Sequence, residues 1–350
     1  MMKLGFYGGS FDPPHVGHAA ATQCFAHAMR LDKLLIIPAA QSPLKGNPSV
    51  AAEHRLELCR HTFDYPVSDL ELQRIGVNYT IDTVLKLREQ HPAAELFMLI
   101  GTDQLANFTR WHRWQEILQL CTVCALQRDA VALQTQLPVH LISGFVPVDI
   151  SSTKLRGMLA LGEDVSTHLT PAALDYIQQH KLYTEPNLPP KRLQHSRNVA
   201  DTAEQLAIKH GADVAKAKFA GLWHDCGKYM VEHGWMHGAV GADYLQQHMG
   251  IDDEDILDAV RYHTLGRENM STLEQIIVAA DLTSTDRDYP DVEHVRALAQ
   301  QDLAACCRYI MEYKARTFLQ RKAASPQSLR EPSSDRPEVG QLLPKEGAKD

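Results

Sequence analysis

GGSFDPPHVGH, residues 8–18, decides how the first half of the chain folds. It follows the chain's first apolar run, KLGFY (3–7), and precedes AAATQCFAHAMR (19–30), whose apolar residues recur at helical spacing. A strand that runs into glycines can turn tightly and bring its backbone close to a ligand. The two prolines then stiffen the loop. A helix beginning near His15 would offer unpaired N–H groups and the positive end of its dipole, which together attract phosphate. His15 and His18 are three residues apart and share one face of that first turn.

Working outward, KLLIIP (33–38), LELQRI (70–75), ELFMLIG (95–101) and TVCAL (122–126) also read as strands. Between them AAEHRLELCRHTF (51–63), TIDTVLKLREQ (80–90) and RWQEILQL (113–120) carry helical spacing. Alternating strands and helices predict an α/β, Rossmann-like parallel sheet covered on both faces, with its ligand beyond the C-terminal strand ends. Lys45 then falls on a loop after the second strand. Gly101 and Asp103 fall after the fourth predicted strand, and Trp111 and Trp114 lie just beyond, able to stack on a flat ring. ISSTKLR (150–156) reads as another helix start, with Ser151, Ser152 and Thr153 as caps and hydroxyl donors and Arg156 one turn on.

Three prolines in TEPNLPPKR (184–192) mark a linker, after which the strand signal ends. The helical pattern that follows predicts an all-α domain of about six helices. The expected organisation is a first domain over 1–183, a linker over 184–190, a second domain over 191–320 and a disordered tail over 321–350, which is rich in Pro, Ser and charge. Within the second domain His195, His224, Asp225, His237, His263 and Asp281 recur at element ends. Imidazoles and carboxylates turned inward in a helical bundle can hold metal ions, and six such groups suit two ions sharing a carboxylate. Adjacent His224 and Asp225 converge only where a helix ends, which Gly227 marks.

The 350 residues exceed one typical domain. A net charge of -8 argues against a nucleic-acid surface, while leaving small phosphorylated ligands open. No segment reads as a membrane span or targeting signal. Seven scattered cysteines give no disulfide framework, and Cys121 and Cys124, a lone C-x-x-C inside a strand-like run, read as core. A reducing cytoplasm is expected.

GGSFDPPHVGH resembles the H-x-G-H signature of nucleotidyltransferases, and ISSTKLR resembles their second signature. With NYTIDT (78–83), GTDQLANFTRWHRW (101–114) and YIQQHKLY (176–183), residues 1–183 resemble bacterial nicotinate-nucleotide adenylyltransferases. The resemblance implies adenylyl transfer from ATP, with Mg²⁺, to nicotinate mononucleotide. It implies that His15, His18 and Arg156, helped by Lys45, bind the ATP phosphates. Gly8, Gly9, Ser10, Phe11, Asp12, Gly101, Asp103, Ser151, Ser152 and Thr153 would shape the nucleotide site, and Tyr79, Thr80 and Trp111 the nicotinate ring site. Two positions depart from that family's pattern, Leu44 for the usual His and Asn78 for the usual Ser.

LWHDCGK (222–228) resembles the signature of HD-domain metal phosphohydrolases. With HS (195–196), HG (237–238), YHTLGR (262–267) and Asp281, the second half resembles bacterial HD hydrolases that cut diadenosine tetraphosphate symmetrically into two ADP. The resemblance implies that His195, His224, Asp225 and Asp281 hold one metal and that His237 and His263 complete a second. The pair would be iron or manganese, with Lys228, Arg267 and Arg287 on the phosphates. Ser284 stands where that family carries Glu. Three alternatives stay open: a nucleotide-sensing HD module, another phosphate ester as its substrate, and nicotinamide mononucleotide as the acceptor of the first domain. Homo-oligomerisation also stays open.

Overall fold

The computed structural model describes residues 1–40, 48–74, 78–127, 136–231 and 236–324. The first domain runs β1 (Lys3–Gly9), α1 (Val16–Met29), β2 (Lys33–Pro38), α2 (Ala52–Thr62), α3 (Thr80–Gln90), β3 (Glu95–Ile100) and α4 (Thr102–Ala106). A 3₁₀ turn at Phe108–Arg110 leads to α5 (Trp114–Leu120), β4 (Thr122–Leu126), β5 (His140–Ile142), α6 (Ser152–Leu161) and α7 (Pro171–His180). The second domain holds α8 (Pro190–His210), α9 (Val214–Trp223), α10 (His237–Met249), α11 (Glu254–Tyr262), α12 (Thr272–Thr283), α13 (Val292–Gln301) and α14 (Leu303–Ala324).

The strands form one sheet in the order β2-β1-β3-β4-β5, and every pairing is parallel. Alternate residues of the same strands enter opposite layers. Leu4, Phe6, Leu96, Met98 and Val123 pack on one face. Leu34, Ile36, Phe97, Leu99 and Cys124 pack on the other. Burial on both faces explains why these strands read as continuous apolar runs. The strand order reverses between β1 and β3, and an open α/β sheet binds its ligand at such a switch point.

Three readings of the sequence change. LELQRI is not a strand: residues 70–74 form turns, and Ile75 lies outside the described residues. Glu71 is buried there, accepts from Thr83 Oγ1 at 2.7 Å and offers its carbonyl to Asn78 Nδ2 at 2.9 Å. These polar ties take the place of a ladder. The remaining sheet member is the three-residue β5, too short to show a period. Pro190, read as linker, is the first residue of α8, where a missing N–H costs nothing. At the other end α14 extends to Ala324, into the segment read as tail, and 325–350 lie outside the described residues.

Cys121 and Cys124 are core, as the sequence suggested, and burial pushes both thiols up to about 12. The α domain has its own core, in which Val199, Trp223, Leu245, Val260 and Ile277 meet. No described helix is long and apolar enough to cross a membrane.

Candidate active sites

A cavity of about 520 Å³ opens at the switch point between β1 and β3. Gly8, Gly9 and Ser10 come to it from β1, Met98 to Ile100 from β3, and Tyr79, Thr80 and Trp111 from the loops beyond. Tyr79 caps α3 and lies against His112, with ring centroids 4.7 Å apart, while Trp111 packs on Phe108 at 5.2 Å. Trp114 meets Phe108 edge-on, outside the cavity lining. Gly101 caps α4, its N–H donating to Gln104 Oε1 at 3.1 Å. The Asp103 side chain and all of Lys45 fall outside the description. Arg110, His112 and Asn107 line the cavity and were not singled out from sequence. The signal was present for the first two, which flank Trp111 on the loop after β3.

His15 is the N-cap of α1. Its Nδ1 accepts from Gly17 N at 3.2 Å, and His18 Nδ1 accepts from His15 N at 3.2 Å. The two imidazoles lie with centroids 3.8 Å apart, so helix start and histidine pair are one unit. Phe11 takes a left-handed backbone at φ 47, unusual for a bulky residue. Its ring is held by those of Tyr7, His18 and Phe63, each 5.3 Å away. The Asp12 carboxylate accepts from Ser49 N and from the Tyr183 hydroxyl, which fixes the loop. The second predicted signature joins it. Ser151 caps α6, Ser152 Oγ donates to the Pro13 carbonyl at 2.8 Å, and Arg156 donates to the Asp12 carbonyl. The two signatures therefore meet, one helix start against the other; Gly8, Gly9 and Ser10 of the first line the cavity, while His15, His18 and the second signature lie outside its lining.

In the second domain α9 ends at Trp223, so His224 and Asp225 occupy the cap and the turn that follows. Gly227 is required there. A β-carbon on it would strike the His237 carbonyl, which belongs to the start of α10. The close approach sets His237 Nε2 3.0 Å from Asp225 Oδ1. His263 Nε2 is 3.8 Å from that same oxygen, and His224 Nε2 is 3.6 Å from Asp225 Oδ2. On the far side His195 Nε2 is 3.2 Å from Asp281 Oδ1. Two groups of donors result: His195, His224 and Asp281, and His224, Asp225 and His263. Ligands about 2.1 Å from one ion stand about 3 Å or more from each other, which these spacings match. His224 belongs to both groups, and Asp225 lies between it and the His237–His263 pair, one oxygen toward each, where a carboxylate could be shared by two ions.

The histidine rings are prepared for such a role. His224 Nδ1 and His263 Nδ1 each pair with a backbone carbonyl at 2.7 Å, Gly221 and Val260, which directs Nε2 inward. Burial lowers the His224 pKa to about 4, so the ring is a neutral donor. Its Nε2 is buried with no hydrogen-bond partner among the described residues, which a metal ion would satisfy. Burial pushes the Asp225 carboxyl upward, but His224, His237, His263 and Lys228 outweigh it and hold the group well below the usual carboxylate range.

Cations surround the carboxylates. Lys228 Nζ lies 3.4 Å from both Asp225 oxygens, Arg192 Nη1 lies 3.1 Å from Oδ2, and Arg287 pairs with Asp281. Arg267 is drawn elsewhere, into ion pairs with Asp258 and Glu274. Arg192, Asp286 and Lys314 were not singled out from sequence. Arg192, one turn before His195, was legible. Lys314, whose Nζ donates to the Thr264 carbonyl at 2.9 Å, arrives on α14 with no local signal. Asp286 Oδ2 lies 2.8 Å from His195 Nδ1 and orients that ring from behind. Asp286→Ala is expected to weaken metal binding by about ten- to a hundredfold. Metal content after graded chelator dialysis checks this; unchanged retention would show that His195 needs no carboxylate behind it.

The fold and the two sites define a nucleotidyltransferase domain joined to a helical metal-site domain. Residues 6–158 match the family described as Cytidylyltransferase-like, and residues 192–286 match the HD domain. A protein of Gemmatimonas aurantiaca named a probable nicotinate-nucleotide adenylyltransferase is 39% identical over 197 residues, covering 53% of this chain and 93% of that one. One of the same name from Oceanobacillus iheyensis is 32% identical over 188 residues, covering 52% and 97%. A solved structure from Clostridium acetobutylicum, titled a predicted HD superfamily hydrolase involved in NAD metabolism, is 33% identical with a TM-score of 0.37, covering 42% of this chain and 85% of that one. The chain belongs, through its first half, to the nicotinate-nucleotide adenylyltransferase family.

Proposed function

We propose that the first domain transfers the adenylyl group of Mg²⁺-ATP to nicotinate mononucleotide, giving deamido-NAD and pyrophosphate. A phosphate oxygen of the mononucleotide attacks the α-phosphorus of ATP, the bond to the β-phosphate bridging oxygen breaks, and pyrophosphate leaves. No covalent enzyme intermediate is needed, so the protein's share is positioning and neutralisation of charge. The observation that carries the reading is the switch-point cavity, with aromatic residues along one wall and the His15–His18 helix start beside it. That helix end and its two imidazoles suit the ATP phosphates, and Tyr79 and Trp111 suit the pyridine ring.

Arg110 is the one Lys or Arg lining the cavity among the described residues. A cation beside Trp111 suits the ring carboxylate of nicotinate, which nicotinamide lacks. Arg110→Gln is expected to lower kcat/KM for nicotinate mononucleotide by about tenfold and to leave nicotinamide mononucleotide within twofold. Equal losses for both acceptors would move Arg110 to the shared phosphate.

For the second domain we propose hydrolysis of a dinucleoside polyphosphate, diadenosine tetraphosphate to two ADP, at a centre of two iron or manganese ions. Asp225, set between His224, which belongs to both donor groups, and the His237–His263 pair, carries this reading. Bound ions would supply Lewis acidity and a water-derived nucleophile at neutral pH. The chain's own Lys228, Arg192 and Arg287 would meet the phosphate oxygens, while the Gly221 and Val260 carbonyls orient the His224 and His263 imidazoles. Hydrolysis adds water across the central P–O–P bridge, and each half departs as ADP. Chromatography of products from metal-loaded protein tests both activities. Deamido-NAD from ATP and nicotinate mononucleotide, and ADP alone from diadenosine tetraphosphate, are expected. AMP with ATP from the second substrate would overturn symmetric cleavage.

A further inference from the structure

The edge of α6 that carries Thr153, Arg156 and Gly157 is covered by the C-terminal end of α10, an element of the other domain. Arg156 Nε donates to the His248 carbonyl at 2.8 Å, and Nη2 donates to the same oxygen. Nη2 also donates to Thr153 Oγ1 at 3.2 Å, and Nη1 to the Asp12 carbonyl. A guanidinium binds phosphate in a fork, through two N–H groups on one edge. On Arg156 the Nε–Nη2 edge grips a helix end instead. That end is a natural partner, because the last carbonyls of a helix lack internal donors and carry its negative dipole. Arg156 is 7% exposed as a result.

Two further contacts seat the helix end. A β-carbon on Gly157 would fall far inside contact distance of the Met249 carbonyl oxygen. Tyr244, one turn before His248, stands beside Ser49, whose N–H donates to Asp12 Oδ2 at 2.7 Å. The end of α10 thus touches the second signature segment directly and reaches the first through Arg156 and Ser49. Its other end is the metal-site residue His237. One helix of 13 residues, about 20 Å long, joins the two sites.

We propose that this face of α6 is an intramolecular docking surface for the end of α10, and that α10 and ATP compete for the same edge of Arg156. The proposal rests on reading Arg156 as a ligand of the ATP phosphates. ATP then binds fully only when the helix end withdraws. The coupling is reciprocal: whatever fixes α10 at the HD site weakens ATP binding, and ATP loosens α10 there by the same factor.

Gly157→Ala separates the surfaces. Alanine is a better helix former than glycine, so α6 is preserved while the new methyl displaces the helix end. The KM for ATP is expected to fall by about five- to tenfold, within the usual range of coupling between sites. Arg156→Ala, measured alongside, is expected to raise it at least about tenfold. A rise with Arg156→Ala but no fall with Gly157→Ala overturns the competition and leaves the phosphate reading standing. No change with Arg156→Ala overturns the phosphate reading itself. In the unaltered chain, hydrogen exchange at amides 245–251 is expected to quicken on saturation with ATP in the absence of mononucleotide. Unchanged exchange there would also overturn the proposal.

Discussion

Asp225→Asn should abolish metal loading and lower the proposed diadenosine tetraphosphate hydrolysis by about a thousandfold or more. The size follows from position. Asp225 is 2% exposed and has one oxygen near His237 and His263 and the other near His224. The amide keeps the volume but loses the anion. Three imidazoles, Arg192 and Lys228 then face a neutral group, and two dications would have no shared counter-charge. Loss of a transition-state electrostatic partner alone costs about 10²–10³ in rate, and loss of the ions adds to it. The experiment reads bound metal by elemental analysis, ADP release, and adenylyl transfer as an internal control. Retained metal with full hydrolysis would remove Asp225 from the centre. Lost metal with full hydrolysis would point to a metal-independent reaction.

Much of this arrangement was legible, and what was not has physical causes. The parallel sheet could be read because strands buried on both faces are unbroken apolar runs. LELQRI misled because its alternation satisfies the strand period, while the partners that hold Glu71, Thr83 and Asn78, come from residues on either side of α3's start. The six candidate metal-site residues could be picked out because each sits in a short motif, five of them near an element end and His195 a turn inside α8. Their pairing could not be: which oxygen of Asp225 meets which imidazole depends on the packing of Gly227 against α10. Lys314 and Asp286 act across long sequence separations, where local pattern carries nothing. Arg156 was picked as a phosphate ligand from ISSTKLR, yet its partner His248 lies 92 residues on in another domain. No reading of either motif alone could place the two together.

His15 is both the N-cap of α1 and a proposed phosphate ligand, and His15→Asn separates the two roles. As the N-cap of α1, His15 accepts from Gly17 N and its own N–H is answered by His18. His15→Ala would remove both cap and imidazole, mixing about 1 kcal/mol of helix stability with any effect on catalysis. Asparagine is among the best N-caps, so the helix start should survive and the melting temperature should stay within about 2 °C. A lost contact to charge developing on the transferring phosphoryl group costs about 3–4 kcal/mol, so adenylyl transfer should fall by about 10²–10³. The cap term is several-fold smaller than the catalytic one, which is why the two can be told apart. Activity falling with no change in melting temperature would assign the imidazole to the ATP phosphates. Full activity would reduce His15 to a capping residue and leave His18 and the helix end to hold the phosphates.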